Sequence, residues 1–259
     1  MSVRKLLDLS GKVAVVTGGS RGIGLQMAEG LGEMGARVAV TARKPGELDE
    51  ARAHLERMGI ECLMVVGDLA VHASIPGIVD AVMARWGQVD ILVNNAGTNW
   101  AAPAEDYPDE GWRKVMSLNV DAQFFIAREV GRRSMIPRRS GKIVNIASIA
   151  GLYGNPPTWE MRTMAYNTSK GALVNMTRAL AAEWGKYNIN VNAICPGFFP
   201  SKMTKVTLER IDRDVLELTP LGRLGGEEDL KGCVVFLASE ASRHVTGQAI
   251  PVDGGVTVI

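Results

Sequence analysis

The stretch Val13-Ala14-Val15-Val16-Thr17-Gly18-Gly19-Ser20-Arg21-Gly22-Ile23-Gly24 decides the fold. A short apolar run rich in valine reads as a strand with both faces covered. It runs directly into a glycine-rich turn. Beyond the turn, Ile23, Met27, Leu31 and Met34 recur at helical spacing. A strand, a tight glycine turn and a helix in this order form an anion-binding device. The glycines let a pyrophosphate approach the backbone, and the helix start offers free N–H groups at the positive end of its dipole.

Outward from this stretch the pattern repeats. Apolar, β-branched runs occur at Arg37–Thr41, Glu61–Val66, Ile91–Asn94, Lys142–Ala147, Ile189–Ile194 and Ala249–Val252. Helix-period stretches lie between them, for example Ile23–Met34, Pro76–Trp86 and Ala165–Lys186. Strand–helix alternation with short connections predicts right-handed βαβ units. The expected fold is α/β: a single-domain, Rossmann-type, doubly wound parallel sheet of about seven strands with helices on both faces. No repeat or linker divides the 259 residues, so one dinucleotide-binding domain spans 1–259. The longest segment without a strand, about 197–226, is the expected substrate loop.

Composition excludes several function classes. The net charge is +1, which gives no field for nucleic acid. No apolar run approaches the roughly 20 residues of a membrane span, and the amino-terminal residues lack the apolar core of a signal peptide. Cys62, Cys195 and Cys233 are scattered and odd in number, as are His54, His72 and His244. Neither set has disulfide or ligand spacing, so no metal is expected and a reducing, cytoplasmic location is.

Further motifs follow successive strands. The second strand ends in Thr41-Ala42-Arg43, with no Asp or Glu to bind ribose hydroxyls. Arg43 and Arg21 are instead suited to a 2′-phosphate, which favours NADP(H) over NAD(H). Asp68-Leu69 follows the third strand, where the aspartate is by itself a helix N-cap candidate. Asn94-Asn95-Ala96-Gly97 follows the fourth, with small residues for close backbone approach and Asn94 placed to brace neighbouring strands. Ser148 ends the fifth. Tyr166 and Lys170 lie four residues apart on a helix-forming stretch and so share one face. Pro196-Gly197 follows the sixth.

The glycine spacing Thr-Gly-x-x-x-Gly-x-Gly, the Asn-Asn-Ala-Gly turn and the order Ser148, Tyr166, Lys170 resemble the short-chain dehydrogenase/reductase family over about residues 9–258. The resemblance implies an oxidoreductase that moves hydride between a nicotinamide and a ketone or secondary alcohol. It implies a catalytic tetrad of Asn119, Ser148, Tyr166 and Lys170. It also implies cofactor contacts from Gly18, Ser20, Arg21, Gly22, Ile23, Gly24, Arg43, Asp68, Leu69, Asn95, Ala96, Gly97, Tyr166, Lys170, Pro196, Gly197, Phe199 and Ser201. Ala42 stands where members using NAD carry their acid, Asp68 where they contact the adenine edge, and Ser201 where they usually have threonine.

In this scheme Tyr166 is the acid/base. A phenol titrates near 10, so a neighbouring ammonium and the oxidised nicotinamide must favour its phenolate. A lowering of roughly three units corresponds to about 4 kcal/mol of differential interaction. Lys170 supplies part of this and holds the nicotinamide ribose, Ser148 hydrogen-bonds the substrate oxygen, and Asn119 positions a relay water.

Substrate identity is less legible. Ser148 and Tyr166 are 18 positions apart, a longer gap than most relatives have, so the 149–165 loop alters the pocket wall; Tyr153 and Trp159 on it read equally as substrate contacts or packing. Within the family the chain most resembles bacterial 3-oxoacyl-thioester reductases and gluconate 5-dehydrogenase-like enzymes, which implies a 3-oxoacyl-thioester reductase-like activity, with a polyol or gluconate-like sugar-acid dehydrogenase as the alternative. The cations Arg128, Arg132, Arg133, Arg138, Arg139 and Lys142 against Glu129 form a candidate docking patch for an acidic carrier or a CoA phosphate; a solvated helix end is the competing reading. A non-catalytic NADP(H)-binding regulator is the remote alternative. Family members usually form tetramers, so Gly111–Arg133 and Ala165–Lys186 are expected to build a homotetramer interface, with no nucleic-acid or membrane partner.

Overall fold

The computed structural model describes residues 2–156, 161–200 and 215–259. Trp159, Ser201 and much of the expected substrate loop lie outside these residues. The chain runs α1 (Val3–Leu7), β1 (Val13–Thr17), α2 (Gly22–Glu33), β2 (Arg37–Ala42), α3 (Pro45–Arg57), β3 (Cys62–Val66), α4 (Ile75–Trp86) and β4 (Ile91–Asn94). It continues through α5 (Asp109–Met116), α6 (Ala122–Val130), α7 (Ile136–Arg138), β5 (Gly141–Ile146), α8 (Met164–Trp184), β6 (Ile189–Pro196), α9 (Lys231–Ala238) and β7 (Ala249–Val252). The seven strands form one parallel sheet in the order β3-β2-β1-β4-β5-β6-β7. This is the expected doubly wound Rossmann-like domain. Its direction of winding reverses between β1 and β4, and ligands of such sheets bind outside the carboxyl ends of the strands at that reversal.

Strand residues alternate between two cores. Ala14, Val16, Val38, Val40, Ile91 and Val93 face Met27 and Leu31 of α2, Leu48 and Leu55 of α3, and Val234 and Leu237 of α9. Val13, Val15, Ala39, Leu92, Ile143 and Val191 face Val79 and Val82 of α4, Ile126 and Val130 of α6, and Leu180 and Trp184 of α8. Both faces are therefore apolar, which is why β1, β3 and β4 read as nearly continuous hydrophobic runs, while β5 and β6 carry Asn145 and Asn192 among their apolar residues.

The helix expected over Gly111–Arg133 is less regular than its period suggests. α5, α6 and α7 are joined end to end by π-helical turns at Ser117–Asp121 and Gly131–Met135. The first of these carries Asn119, which is fully buried.

The basic segment after α6 is partly paired internally. Arg132 and Arg133 pair with Glu129, and Arg133 also with Asp80. Arg138 pairs with the buried Asp90, whose other oxygen accepts the Val13 N–H at 2.8 Å and so pins the start of β1. Arg139 donates to the Lys186 carbonyl, and Lys142, whose amine is lowered by burial, donates to Asn190 at 2.8 Å. Arg128 lies over the rings of Phe124 and Phe125. These cations tie α4, α6, β4, β5 and β6 together, while Arg128, Arg132, Arg138 and Arg139 stay exposed to solvent.

Among the described residues no helix is long and apolar enough to cross a membrane, and no group of His, Cys, Asp and Glu could hold a metal ion. Cys195 is buried, Cys62 and Cys233 are half-buried, and all three are free.

Candidate active site

The site is a cleft of about 430 Å³ along the carboxyl ends of the strands. Its first wall is the β1–α2 turn. Gly18 has φ +62°, and a Cβ there would stand 3.0 Å from the Ala96 Cα. At Gly24 a Cβ would fall 2.4 Å from the Asn95 amide nitrogen and 2.5 Å from the Gly18 carbonyl. Side chains at these two positions would close the cradle. α2 starts at Gly22 with Arg21 as N-cap, and that cap supplies no side-chain hydrogen bond. The free N–H groups of its first turn suit an anion.

Thr17 fastens this turn to the next. Its buried Oγ1 accepts the N–H groups of Asn95 and Ala96 at 2.9 and 3.0 Å, while Asn95 Nδ2 returns bonds to the carbonyls of Thr17 and Gly18. Asn94 braces β4 to β5 through Asn145 at 2.9 Å, as its position suggested. Thr17 was quoted in the motif without a role. Its signal was a hydroxyl at the end of an otherwise apolar strand.

Asp68 differs from one expectation. α4 begins only at Ile75, so Asp68 is not its cap. Its carboxylate instead accepts the Ala70 N–H at 3.0 Å within the loop, and its carbonyl accepts from Ser74. Asp68 and Leu69 still line the cleft, with Thr41, Ala42 and Gly67 beside them. The Thr41 hydroxyl is buried there without a hydrogen-bond partner, a donor available to a bound ligand.

At the opposite end, β5 delivers Ser148 and α8 delivers Tyr166 and Lys170, all on the cleft wall. The Lys170 Nζ lies 5.5 Å from the centre of the Tyr166 ring and donates to the Ile146 carbonyl at 2.7 Å. Ser148 hydrogen-bonds the phenol and also accepts the Ala150 N–H at 3.1 Å. Burial raises the Tyr166 phenol above its usual value, and the bond from Ser148 opposes this only in part. Burial also lowers the Lys170 amine to about 8. The protein alone therefore holds the phenol protonated. The expected lowering of Tyr166 is not supplied by Lys170 against this desolvation, and a cation in the cleft would have to add to it.

Asn119 lies beneath the cleft. Its Nδ2 donates to the Thr98 carbonyl at 2.9 Å and to Ser169 Oγ at 3.0 Å, and its Oδ1 accepts the Thr98 N–H at 2.8 Å. Ser169 in turn donates to the Tyr166 carbonyl at 2.8 Å. The Asn119 side chain is thus committed to joining the loop after β4 to the helix that carries Tyr166.

The longer loop between Ser148 and Tyr166 closes on itself. Asn155, Thr163 and Asn167 form a mutual hydrogen-bonded cluster, with Thr163 donating to Asn167 at 2.8 Å and Asn155 to Thr163 at 3.0 Å. The Arg162 carbonyl accepts the Ala102 N–H at 2.9 Å, which ties the loop to the segment after Gly97. Tyr153 packs among Ile149, Val215 and Val256, and burial pushes its phenol up to about 12.

All expected cofactor residues within the described segments line this one cleft, including Pro196, Gly197 and Phe199 from the end of β6. Arg21 and Arg43 stand together at the Ala42 end. Sequence reasoning missed Lys44 and Glu47, which line the same end.

Comparison with known proteins agrees with this geometry. The family model described as enoyl-(acyl carrier protein) reductase matches residues 18–257. The chain is 40% identical to gluconate 5-dehydrogenase of Gluconobacter oxydans (strain 621H), over all of this chain and 99% of that protein. It is 39% identical to the rhamnolipids biosynthesis 3-oxoacyl-[acyl-carrier-protein] reductase of Pseudomonas aeruginosa, over 96% of this chain and 97% of that protein. The crystal structure of a gluconate 5-dehydrogenase from Burkholderia cenocepacia J2315 in complex with NADP and tartrate superposes with a TM-score of 0.93 at 34% identity, covering 100% of both chains. With the sheet order, the glycine cradle and the Ser–Tyr–Lys cluster in place, the chain belongs to the short-chain dehydrogenase/reductase family of oxidoreductases.

Proposed function

We propose that the chain is an NADP(H)-dependent dehydrogenase/reductase of sugar acids or polyols. The observation that carries the substrate class is the full-length similarity to gluconate 5-dehydrogenase. A structural observation weighs the same way. The basic segment that a thioester carrier would use is partly paired with Glu129, Asp80, Asp90, Asn190 and backbone carbonyls, which leaves less of its charge for a carrier. NADP(H) is supported by Arg21 and Arg43 at the Ala42 end and by the NADP-bound relative.

The nicotinamide, when bound, donates or accepts a hydride. The protein's part is to position it and to handle the proton. Gly18, Ser20, Gly22, Ile23 and Gly24 hold the pyrophosphate, Asp68 and Leu69 the adenine side, and Asn95, Ala96, Gly97, Pro196, Gly197 and Phe199 the nicotinamide side. In the reducing direction the Tyr166 hydroxyl gives its proton to the carbonyl oxygen, and in the oxidising direction it recovers one from the alcohol. Ser148 Oγ holds that oxygen. Lys170 supplies positive charge beside the phenol and reaches the ribose. Asn119 acts as a brace between the Thr98 loop and α8. The full 1–259 chain forms one domain, with 197–226 as its substrate loop and Ser201 within it. We place it in the cytoplasm as a homotetramer, built on the α5–α6 and α8 surfaces where Trp112, Phe124 and Met164 are exposed.

The test is NADPH oxidation against a panel of keto sugar acids, ketopolyols and 3-oxoacyl thioesters. The proposal expects the highest kcat/KM on the keto sugar acids or ketopolyols. Faster turnover of the thioesters would restore the other reading, and no turnover of any ketone would leave the non-catalytic regulator.

A further inference from the structure

At the Ala42 end of the cleft two cations pair with one acid, and a third, Arg43, lines the same wall. Arg21 is the N-cap of α2, Lys44 is the N-cap of α3, and Arg43 precedes it. Glu47 lies on the first turn of α3. One oxygen of its carboxylate stands 3.3 Å from Arg21 Nε, and the other stands 3.3 Å from Lys44 Nζ. Glu47 is the most enclosed of the three, with 20% of its side chain exposed against 50% for Arg21 and 68% for Lys44. Arg21 and Lys44 are therefore tied at the surface to a more enclosed anion that itself faces the cleft.

We propose that Glu47 is a built-in competitor of the cofactor's 2′-phosphate, and that it sets how strongly the chain prefers NADPH to NADH. The inference rests on the reading that Arg21 and Arg43 face that phosphate. Both anions need the same guanidinium and ammonium groups. The phosphate presents three oxygens and nearly two charges, so it displaces a carboxylate from them. Displacement leaves Glu47 beside the phosphate, and their repulsion weakens NADPH alone. NADH carries a neutral hydroxyl at that position and is indifferent to the charge. The net charge of Arg21, Arg43, Lys44 and Glu47 is that of two cations, a match to one phosphate dianion. Without Glu47 the site would be over-positive and would release NADP⁺ slowly.

The test uses the full-length protein and direct binding, by titration calorimetry or tryptophan quenching. Glu47→Gln keeps the size and polarity of the side chain and removes the charge. Its NADPH dissociation constant should fall roughly 5–20-fold, as expected for one like charge removed from a partly exposed site, and its NADH constant should change less than about 2-fold. The NADP⁺ off-rate in stopped flow should slow by a similar factor. Unchanged or weakened NADPH binding would overturn the inference and make Glu47 an organiser of the cations. Arg43→Ala distinguishes the two levels. If it weakens NADPH while Glu47→Gln does not tighten it, only the inference fails. If Arg43→Ala leaves NADPH binding intact, the phosphate reading beneath it fails.

Discussion

The two ends of the cleft solve opposite electrostatic problems. At one end Lys170 is buried and Tyr166 half-buried, and the two share few polar partners on one face of a long helix. At the other, Arg21, Arg43 and Lys44 are solvated at the mouths of short turns. Desolvation governs the first: it raises the phenol, which stays neutral, and lowers the amine to about 8, which weakens the hold on its proton. Pairing governs the second, where charge is kept and balanced by Glu47. A dry end makes proton transfer sensitive to any single added charge, because low dielectric magnifies it. A wet end spreads selectivity over several weak contacts.

The sharpest way to break this contrast is Tyr166→Phe. It removes one hydroxyl at the dry end and keeps the ring. Turnover should fall by at least about 10²–10⁴-fold, with NADPH binding retained, as steady-state rates and calorimetry would show. Near wild-type reduction of the best ketone would make Tyr166 a packing residue.

Lys170→Met probes the same end through stability. The folded amine titrates near 8, below its ordinary 10.5. The unfolded chain therefore binds that proton more readily, and the penalty is fully present below pH 8. It is relieved as pH rises from 8 toward 10.5. Wild type should gain stability relative to Lys170→Met across that window, by a few kcal/mol in order of magnitude. Urea unfolding of both proteins at several pH values measures this. A parallel pH dependence of the two would show that Lys170 is not desolvated.

At the wet end Arg43→Ala should weaken NADPH about 10–100-fold, the range for losing charge-assisted hydrogen bonds, and leave NADH nearly unchanged. Equal wild-type affinity for both cofactors would remove the selectivity from this end altogether. The smallest effect is expected between the two ends and the solvent, at the amide cluster of the long loop. Asn155→Ala should raise the substrate KM a few-fold with kcat little changed, and should lower stability by about 1 kcal/mol. A large loss of kcat would mean that the cluster positions Tyr166 itself.

What the sequence revealed follows from range. β1 and β4 were legible to the residue because both their faces are covered, and β7, a half-exposed edge strand, because turn residues bound it. The buried end of the site was legible because Tyr166 and Lys170 lie on one helix. Asp68 was misread because an acid before apolar residues resembles a cap, and the actual start waits for Ile75-Pro76. The internal pairing of the basic segment was not legible because its partners are distant: Asp80 lies 53 positions from Arg133 and Asp90 lies 48 from Arg138. Glu47 was invisible for a related reason. Along the chain it is an ordinary acid in a helix's first turn, and only folding brings Arg21 to it.

The π-helical turn at Ser117–Asp121 has a consequence for the history of such a chain. A turn of this kind holds one residue more than the helical repeat requires. Deleting any single residue there would let a regular α-helix form, which is locally comfortable. It would leave the two flanking helices in nearly the same register, because the turn carries one residue beyond the repeat, but it would remove the bulge itself. Asn119 would swing away from Thr98 and Ser169 while α6 kept its apolar stripe on the sheet. One-residue gaps should therefore be rare at this point among functional variants, although substitutions at the exposed Asp121 remain tolerable. A deletion scan from Asp109 to Arg138 would read this as a sharp notch in viability centred on the turn.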